Sequence, residues 1–159
     1  MTVRIERQRK VAPVSIGRVK LRLWLRLLRA QRAIEAELRE RLRVEFDVTL
    51  PQFDVLAALS RKETGMTMSE LSRYLMVSNG NVTGIIDRLV ADRMVIRLAK
   101  PGDRRTTFVR LTREGIERFA TMARAHETWV AKCLADVSRE DSARMIELLA
   151  VVGRRQREA

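Results

Sequence analysis

The sequence predicts a mainly α-helical protein that carries one small β-hairpin. Apolar residues recur every three or four positions over most of the 159 residues, which is the period of a helix with one buried face. The three prolines, Pro13, Pro51 and Pro101, lie where a helix would begin or stop. Two short segments rich in β-branched residues flank the Pro-Gly pair at 101–102, a pattern typical of a hairpin.

The composition indicates a folded protein with a polyanionic partner. Lys plus Arg is 32 and Asp plus Glu is 20, so the formal net charge is 32 − 20 = +12. Of these cations 27 are Arg, whose planar fork suits phosphate and guanine edges. Since 46% of the residues are apolar, the chain is expected to bury a core and does not resemble a disordered basic tail.

The scarcity of Cys and His excludes several classes of site. Cys133 and His126 are the only residues of their types, so neither a disulfide nor the usual zinc ligand set is available, and we predict no metal and no cofactor. No secretory signal follows the basic amino terminus, and no apolar run reaches the length of about 18 residues needed to span a bilayer. We therefore expect a cytoplasmic protein without a membrane partner.

Two helices are predicted before residue 61. The first runs from about Gly17 to Phe46, because six apolar residues recur on one stripe: Leu21, Trp24, Leu28, Ile34, Leu38 and Leu42. Thr49 and Gln52 then form a T-x-x-Q capping pattern, with Pro51 in the first turn, and predict the start of a second helix.

A pair of short helices follows. Thr67 and Glu70 repeat the capping pattern and predict a helix that reaches Leu75 or Met76. After a turn at Val77, Ser78 is expected to cap a further helix. Its predicted buried side consists of Val82, Ile85, Ile86 and Leu89.

The hairpin and two more helices complete the chain. Strands are predicted over 95–98 and 107–111. A long helix from Thr112 to about Val137 follows, with an apolar stripe at Ile116, Phe119, Ala123, His126, Val130, Cys133 and Val137. A last helix begins at Ser138 and is expected to end at Gly153.

Residues 67–89 have the outline of a helix-turn-helix, and the hairpin behind it makes a winged version. The outer face of the second helix is polar, which favours DNA because small hydroxyl and amide side chains can approach base edges in the major groove. Candidate contacts are Ser78, Asn79, Asn81, Thr83 and Arg88, although capping alone would explain Ser78.

The segment from Arg88 to Arg113 is strongly basic. It contains eight cations and two anions, a local charge of 8 − 2 = +6, and Arg104 and Arg105 lie in its turn. Arginines of an exposed turn are often only solvated, but here they lie beside the polar helix. Hairpin and helix are thus expected to form one basic surface.

Several motifs resemble the MarR family of bacterial winged-helix regulators. The similarity covers roughly residues 18–152 and is carried by Pro51-Gln52-Phe53, Met68-Ser69-Glu70-Leu71, Asn81-Val82-Thr83, Ile86-Asp87-Arg88-Leu89, Asp103-Arg104-Arg105-Thr106 and Val109-Arg110-Leu111-Thr112-Arg113-Glu114-Gly115. The resemblance implies a single domain with a DNA-binding lobe over 49–111, dimerisation helices over 18–46 and 112–157, and a basic arm over 1–16. It further implies a homodimer on a pseudo-palindromic operator, usually a repressor that a small, often aromatic, ligand releases.

The resemblance also assigns roles in the wing. Asp103 is expected to brace the turn, and Arg105, with Arg104 beside it, to enter the minor groove. The sequence departs from the family after Asp92, where Arg93 replaces the usual Gly. If the backbone there is left-handed, Arg93 costs about 1 kcal/mol relative to Gly.

Residues 1–32 carry ten cations and one anion, a charge of 10 − 1 = +9. Four arginines of this segment, Arg18, Arg22, Arg26 and Arg29, recur along one helix side, where their repulsion favours a bound anion. That anion is either DNA phosphate or solvent counterions, or a phosphorylated effector. The segment 23–29 is similar to the MarR branch that controls aromatic-acid degradation, some members of which respond to coenzyme A thioesters of hydroxycinnamates. The predicted effector is therefore a small aromatic acid or its aryl-coenzyme A thioester, with contacts from Arg22, Trp24, Arg26, Leu28, Arg29 and Phe53.

Two other classes of function compete with a regulator. An architectural or nonspecific nucleic-acid-binding protein would use only the charge and would show little preference for a palindrome. An enzyme is disfavoured and no catalytic residue is predicted, because His126 has no obvious nucleophile partner and no glycine-rich phosphate loop occurs.

Overall fold

The computed structural model describes residues 15–100 and 103–152, and the side chains of 15–99 and 107–152. Its elements in chain order are α1 Ile16–Phe46, α2 Leu50–Ser60, β1 Met66–Thr67, α3 Met68–Leu75, α4 Asn79–Ala91, β2 Val95–Lys100, β3 Asp103–Leu111, α5 Arg113–Cys133 and α6 Arg139–Val152. The predicted fold class, mainly α with a small β wing, is confirmed. The basic arm up to residue 14, the turn at 101–102, the cap at Gly153 and the last dimerisation residues lie outside the described residues.

The described chain divides into two compact units between Ala36 and Glu37, and each unit is described by itself. The first contains the amino-terminal part of α1. Its apolar side chains are largely exposed, for example Leu21 and Trp24. The second unit contains the remainder of α1 and all other elements.

Both predicted capping boxes are present. The backbone N–H of Thr49 donates to Gln52 Oε1 at 2.7 Å, and that of Thr67 donates to Glu70 Oε2 at 2.7 Å. The Thr67 N–H, together with the Lys62 ammonium 3.0 Å from Glu70, lowers the pKa of the Glu70 carboxyl to about 2. The start of α3 is thus fixed by local spacing that the sequence already contains.

The sheet has three antiparallel strands in the order β1-β3-β2. The sequence predicted only β2 and β3, and both are longer than expected. Strand β1 was missed because it is two residues long and its Thr67 is also the cap of α3. Gly65, with a φ of 85°, turns the chain into β1 where a Cβ would lie 2.6 Å from the Val109 carbonyl oxygen.

Two predicted helix ends were wrong by a few residues. Met76 does not extend α3, because it adopts a left-handed φ of 54° and its N–H bonds back to the carbonyls of Ser72 and Arg73. Helix α5 ends at Cys133 and not near Val137, with Leu134 as its C-cap. Such ends are set by backbone geometry that apolar periodicity does not determine.

The buried stripe of α5 also differs from the predicted one. The buried positions are Gly115, Met122 and Trp129, seven residues apart, whereas Ile116 and Cys133 are exposed. Similarly, Ile85 of α4 is only half-buried. The core of the second unit lies between α2, α3, α4, the carboxyl end of α1 and the sheet, and includes Leu42, Leu56, Leu59, Leu71, Val82, Ile86, Leu89 and Val109.

Candidate nucleic-acid interface

Helix α4 is held by its apolar side and presents its polar side to solvent. Val82, Ile86 and Leu89 are fully buried. The Ser78 hydroxyl caps the helix by accepting the Asn81 N–H at 3.4 Å. The predicted contacts Asn79, Asn81, Thr83 and Arg88 are all exposed, so α4 brings them together on one accessible surface.

One flank of α4 is joined to the wing. Arg97 of β2 donates to Asp87 of α4, with 2.6 Å between Arg97 Nη1 and Asp87 Oδ1. The Thr83 hydroxyl donates to the Asn79 carbonyl at 3.0 Å, which leaves its methyl group and oxygen lone pairs available. A base-reading helix and a strand of the wing are therefore held in a defined relation.

The outermost strip of α4 contains two glycines that the sequence analysis did not assign to the site. Gly80 and Gly84 are each two residues, or about 200°, from a buried position of the helix. A Cβ at either position would meet nothing within 4 Å, so packing within this chain does not require glycine there. Each glycine in a helix costs about 1 kcal/mol relative to Ala. That spacing and that cost are the signals that could have identified them.

The other flank of α4 borders a groove of about 970 Å³. Its lining comes from the carboxyl end of α1, the start of α2 and the flank of α4 that carries Asn81 and Arg88. Arg39, Arg43 and Asp47 of α1 line it as well, and none of them was predicted as a site residue. The i, i+4 spacing of Arg39 and Arg43 could have shown that they share a helix side, but not that this side borders α4.

The junction between α4 and the wing keeps a left-handed residue without glycine. Arg93 has a φ of 58°. The Thr112 hydroxyl donates to the Arg93 carbonyl at 2.7 Å, and the Thr112 N–H donates to the Met94 carbonyl at 3.0 Å. At Gly115 a Cβ would lie 2.0 Å from the Met94 carbonyl oxygen, so only glycine fits. The start of α5 thus holds the turn in which Arg93 replaces the family glycine.

Asp103, Arg104 and Arg105 lie at the start of β3, where Asp103 is paired with Lys100 of β2. Their side chains are outside the described part of the chain. The assignment of Asp103 as a brace and of Arg104 and Arg105 as minor-groove contacts stays a prediction.

The predicted effector residues fall in both units. Arg22, Trp24, Arg26 and Arg29 are exposed and Leu28 is half-buried on the amino-terminal part of α1. Phe53, in the second unit, is buried, and its ring lies 4.6 Å from that of His126 and 5.6 Å from that of Phe119. Burial lowers the pKa of His126, and the charge of Asp54 partly opposes this shift.

Neither a metal centre nor a membrane-spanning helix occurs within residues 15–100 and 103–152. No group of three His, Cys, Asp or Glu side chains in these ranges could hold a metal ion. None of their helices combines the length and the apolar character needed to cross a membrane.

Similarity to known proteins covers the same surface. A model of the MarR family matches residues 46–106. BadR of Rhodopseudomonas palustris, named a transcriptional activatory protein, is 35% identical over 113 residues, which span 69% of this chain and 59% of that protein. A MarR family transcriptional regulator from Silicibacter pomeroyi is 32% identical, with a TM-score of 0.74 over 87% of this chain and 96% of that one. A mutant MarR from Escherichia coli, solved with operator DNA, is 25% identical, with a TM-score of 0.74 over 87% and 99% of the two chains.

Proposed function

Because the chain belongs to the MarR family of transcriptional regulators, we propose that it is a homodimeric repressor that binds a pseudo-palindromic operator and is released by a small aromatic effector. The observation that carries this proposal is the exposed polar face of α4, which lies next to the wing strands and opposite a fully buried apolar side. The relatives are named as regulators, which confirms the expectation that the chain is not an enzyme.

Each α4 reads a half-site in the major groove. Asn79 and Asn81 carry amides suited to adenine, and Arg88, whose side chain is 65% exposed, suits guanine or a phosphate. Ser78 acts mainly as the helix cap. Arg104 and Arg105 of the wing reach the adjacent minor groove.

The homodimer is supported by α6 and by the amino-terminal part of α1. Helix α6 has no buried residue, and its exposed apolar side chains include Ile146, Leu148, Val151 and Val152. An apolar surface of this kind marks a protein interface. Two copies related by a twofold axis would place their recognition helices about 34–36 Å apart on the operator.

The effector is a small aromatic acid or its aryl-coenzyme A thioester, such as a hydroxycinnamoyl-coenzyme A. Its support is the exposed set Arg22, Trp24, Arg26 and Arg29, which combines an aromatic ring with three guanidiniums suited to phosphate. Calorimetry with thioester and matching free acid tests this class. We expect the thioester to bind more tightly, with the difference abolished in Arg22→Ala/Arg26→Ala; absent or equal binding of the thioester would remove it.

Operator selection from random DNA tests the DNA assignment. We expect an inverted repeat to be enriched, Asn81→Ala to change the base preference more than the total affinity, and Arg105→Ala to weaken binding. Arg118→Ala, which removes an exposed cation of α5, serves as the control. Equal binding to the repeat and to scrambled DNA at moderate salt would indicate the architectural alternative instead.

The sign of regulation needs its own measurement, because BadR is named an activatory protein. In vitro transcription from the selected operator is expected to fall when the protein is added and to recover with the effector. A rise in transcript on addition of the protein would make it an activator and leave the DNA assignment intact.

A further inference from the structure

We propose that the groove between α1 and α4 seats the sugar-phosphate backbone of the operator, with Arg39 and Arg43 binding phosphates. This inference rests on the proposed function and extends its DNA surface beyond the recognition helix and wing. It assigns a role in DNA binding to the carboxyl end of α1, a helix otherwise expected to serve dimerisation.

The groove is continuous with the base-reading surface. Asn81 and Arg88, both candidate DNA contacts, form the α4 side of the groove. Asp87, on the far flank of α4, is joined to the wing. A helix inserted in the major groove has a phosphate backbone on each side of it. The wing flank and the groove flank of α4 therefore lie where the two backbones pass.

The charges of the groove suit a phosphate. Arg39 is exposed and has no ion pair among the described residues, so its guanidinium is available to a ligand. Arg43 donates to both carboxylate oxygens of Glu40, at 2.7 and 3.1 Å, in a pair whose side chains are 64% and 62% exposed. Exposed pairs of this kind are worth little and compete poorly with a polyanion. Both arginines can therefore turn to DNA.

The α4 side of the groove has room for a backbone to approach closely. Gly80 and Gly84 line it, and nothing lies within 4 Å of either position where a Cβ would stand. A duplex that rests against this strip would meet peptide groups in place of side chains. The glycines are then explained by a neighbour outside the chain.

Asp47 is the one acidic residue that lines the groove. It ends α1 with a left-handed φ of 54°, a conformation that Asn also tolerates. Its carboxylate lies close enough to Arg43 to raise the pKa of that guanidinium, and it must repel a phosphate seated between them. Asp47→Asn therefore changes the charge of the groove with little change of shape.

The experiment measures operator affinity against salt for the full-length protein. In Arg39→Ala/Arg43→Ala we expect at least a tenfold loss of affinity at moderate salt. The slope of log affinity against log salt should decrease by about 0.9 for each phosphate that a protomer no longer neutralises. Arg118→Ala is the charge-matched control on α5, and circular dichroism confirms that each variant is folded. Asp47→Asn is expected to tighten binding about threefold without changing the preferred sequence.

The outcomes separate this inference from the proposed function. An unchanged salt slope in the double variant, or equal losses of affinity in the double variant and in Arg118→Ala, would overturn the phosphate assignment while the wild-type protein still selects an inverted repeat. A wild-type protein without such selection would instead sink the proposed function. Calorimetric binding of benzoate that Arg39→Ala abolishes, with an unchanged slope, would assign the groove to a small organic anion and overturn the DNA assignment.

Discussion

The winged lobe and helix α6 dispose of their apolar residues in opposite ways. In the lobe, Leu56 and Leu71 are 0% exposed, whereas Ile146 and Val152 of α6 are 69% and 66% exposed. Both segments have helical periodicity, so the sequence pattern alone does not distinguish them. The lobe completes its core within one chain, and α6 is left with an apolar surface that a second copy is proposed to cover.

A pair of Leu→Ala substitutions tests this difference most directly. Leu71→Ala should lower the free energy of unfolding by about 3–4 kcal/mol at every protein concentration, because it opens a cavity in a closed core. Leu148→Ala, at a side chain that is 61% exposed, should act mainly through the dimer. Its effect on thermal unfolding should therefore depend on protein concentration. An effect of Leu148→Ala that is independent of concentration would break the comparison.

Two glycines separate packing inside the lobe from open surface. Gly115→Ala should destabilise the lobe by about 2–3 kcal/mol, because the new methyl group would overlap the Met94 carbonyl oxygen. Gly84→Ala has open space and should stabilise α4 by about 1 kcal/mol. Urea unfolding measures both changes. If both substitutions shift stability in the same direction, the assigned packing at one of the two sites is incorrect.

The junction between α4 and β2 tests a conformational strain within the lobe. Arg93→Gly should raise the free energy of unfolding by about 1 kcal/mol, because Arg93 has a φ of 58°. Arg88→Gly, in the regular part of α4, is the contrasting control and should lower stability by a similar amount. A destabilised Arg93→Gly protein would show that the arginine side chain contributes more than its backbone strain costs.

The smallest expected effect is a dependence of lobe stability on pH. Because the pKa of His126 is lowered by burial, the unfolded chain binds more protons than the native one. The stabilising contribution is complete above the unfolded pKa of about 6.5 and is lost as pH falls through the lower native value. The melting temperature should decline over that interval, and His126→Phe should flatten the decline. Glu70, with a pKa of about 2, keeps its charge there and titrates only in stronger acid.

Local spacing made much of the lobe predictable. The capping boxes at Thr49 and Thr67, the cap at Ser78 and the buried side of α4 follow from residues close in sequence. The groove residues Arg39 and Arg43 could not be found in this way, because their position beside α4 depends on how α1 and α2 pack. The same limit explains the missed β1, which exists only through its pairing with β3. The predicted effector and wing contacts stay predictions.

The ion pair between Asp87 and Arg97 has a mechanical consequence for a dimeric reader. It couples the base-reading helix to the wing within each protomer, so the spacing between the major-groove and minor-groove probes of one half-site is nearly fixed. Adjustment to operators of different length then falls to the connection between the protomers. Adding or removing base pairs at the centre of the repeat would report the stiffness of that connection, whereas altered spacing within a half-site would report the stiffness of the Asp87–Arg97 linkage.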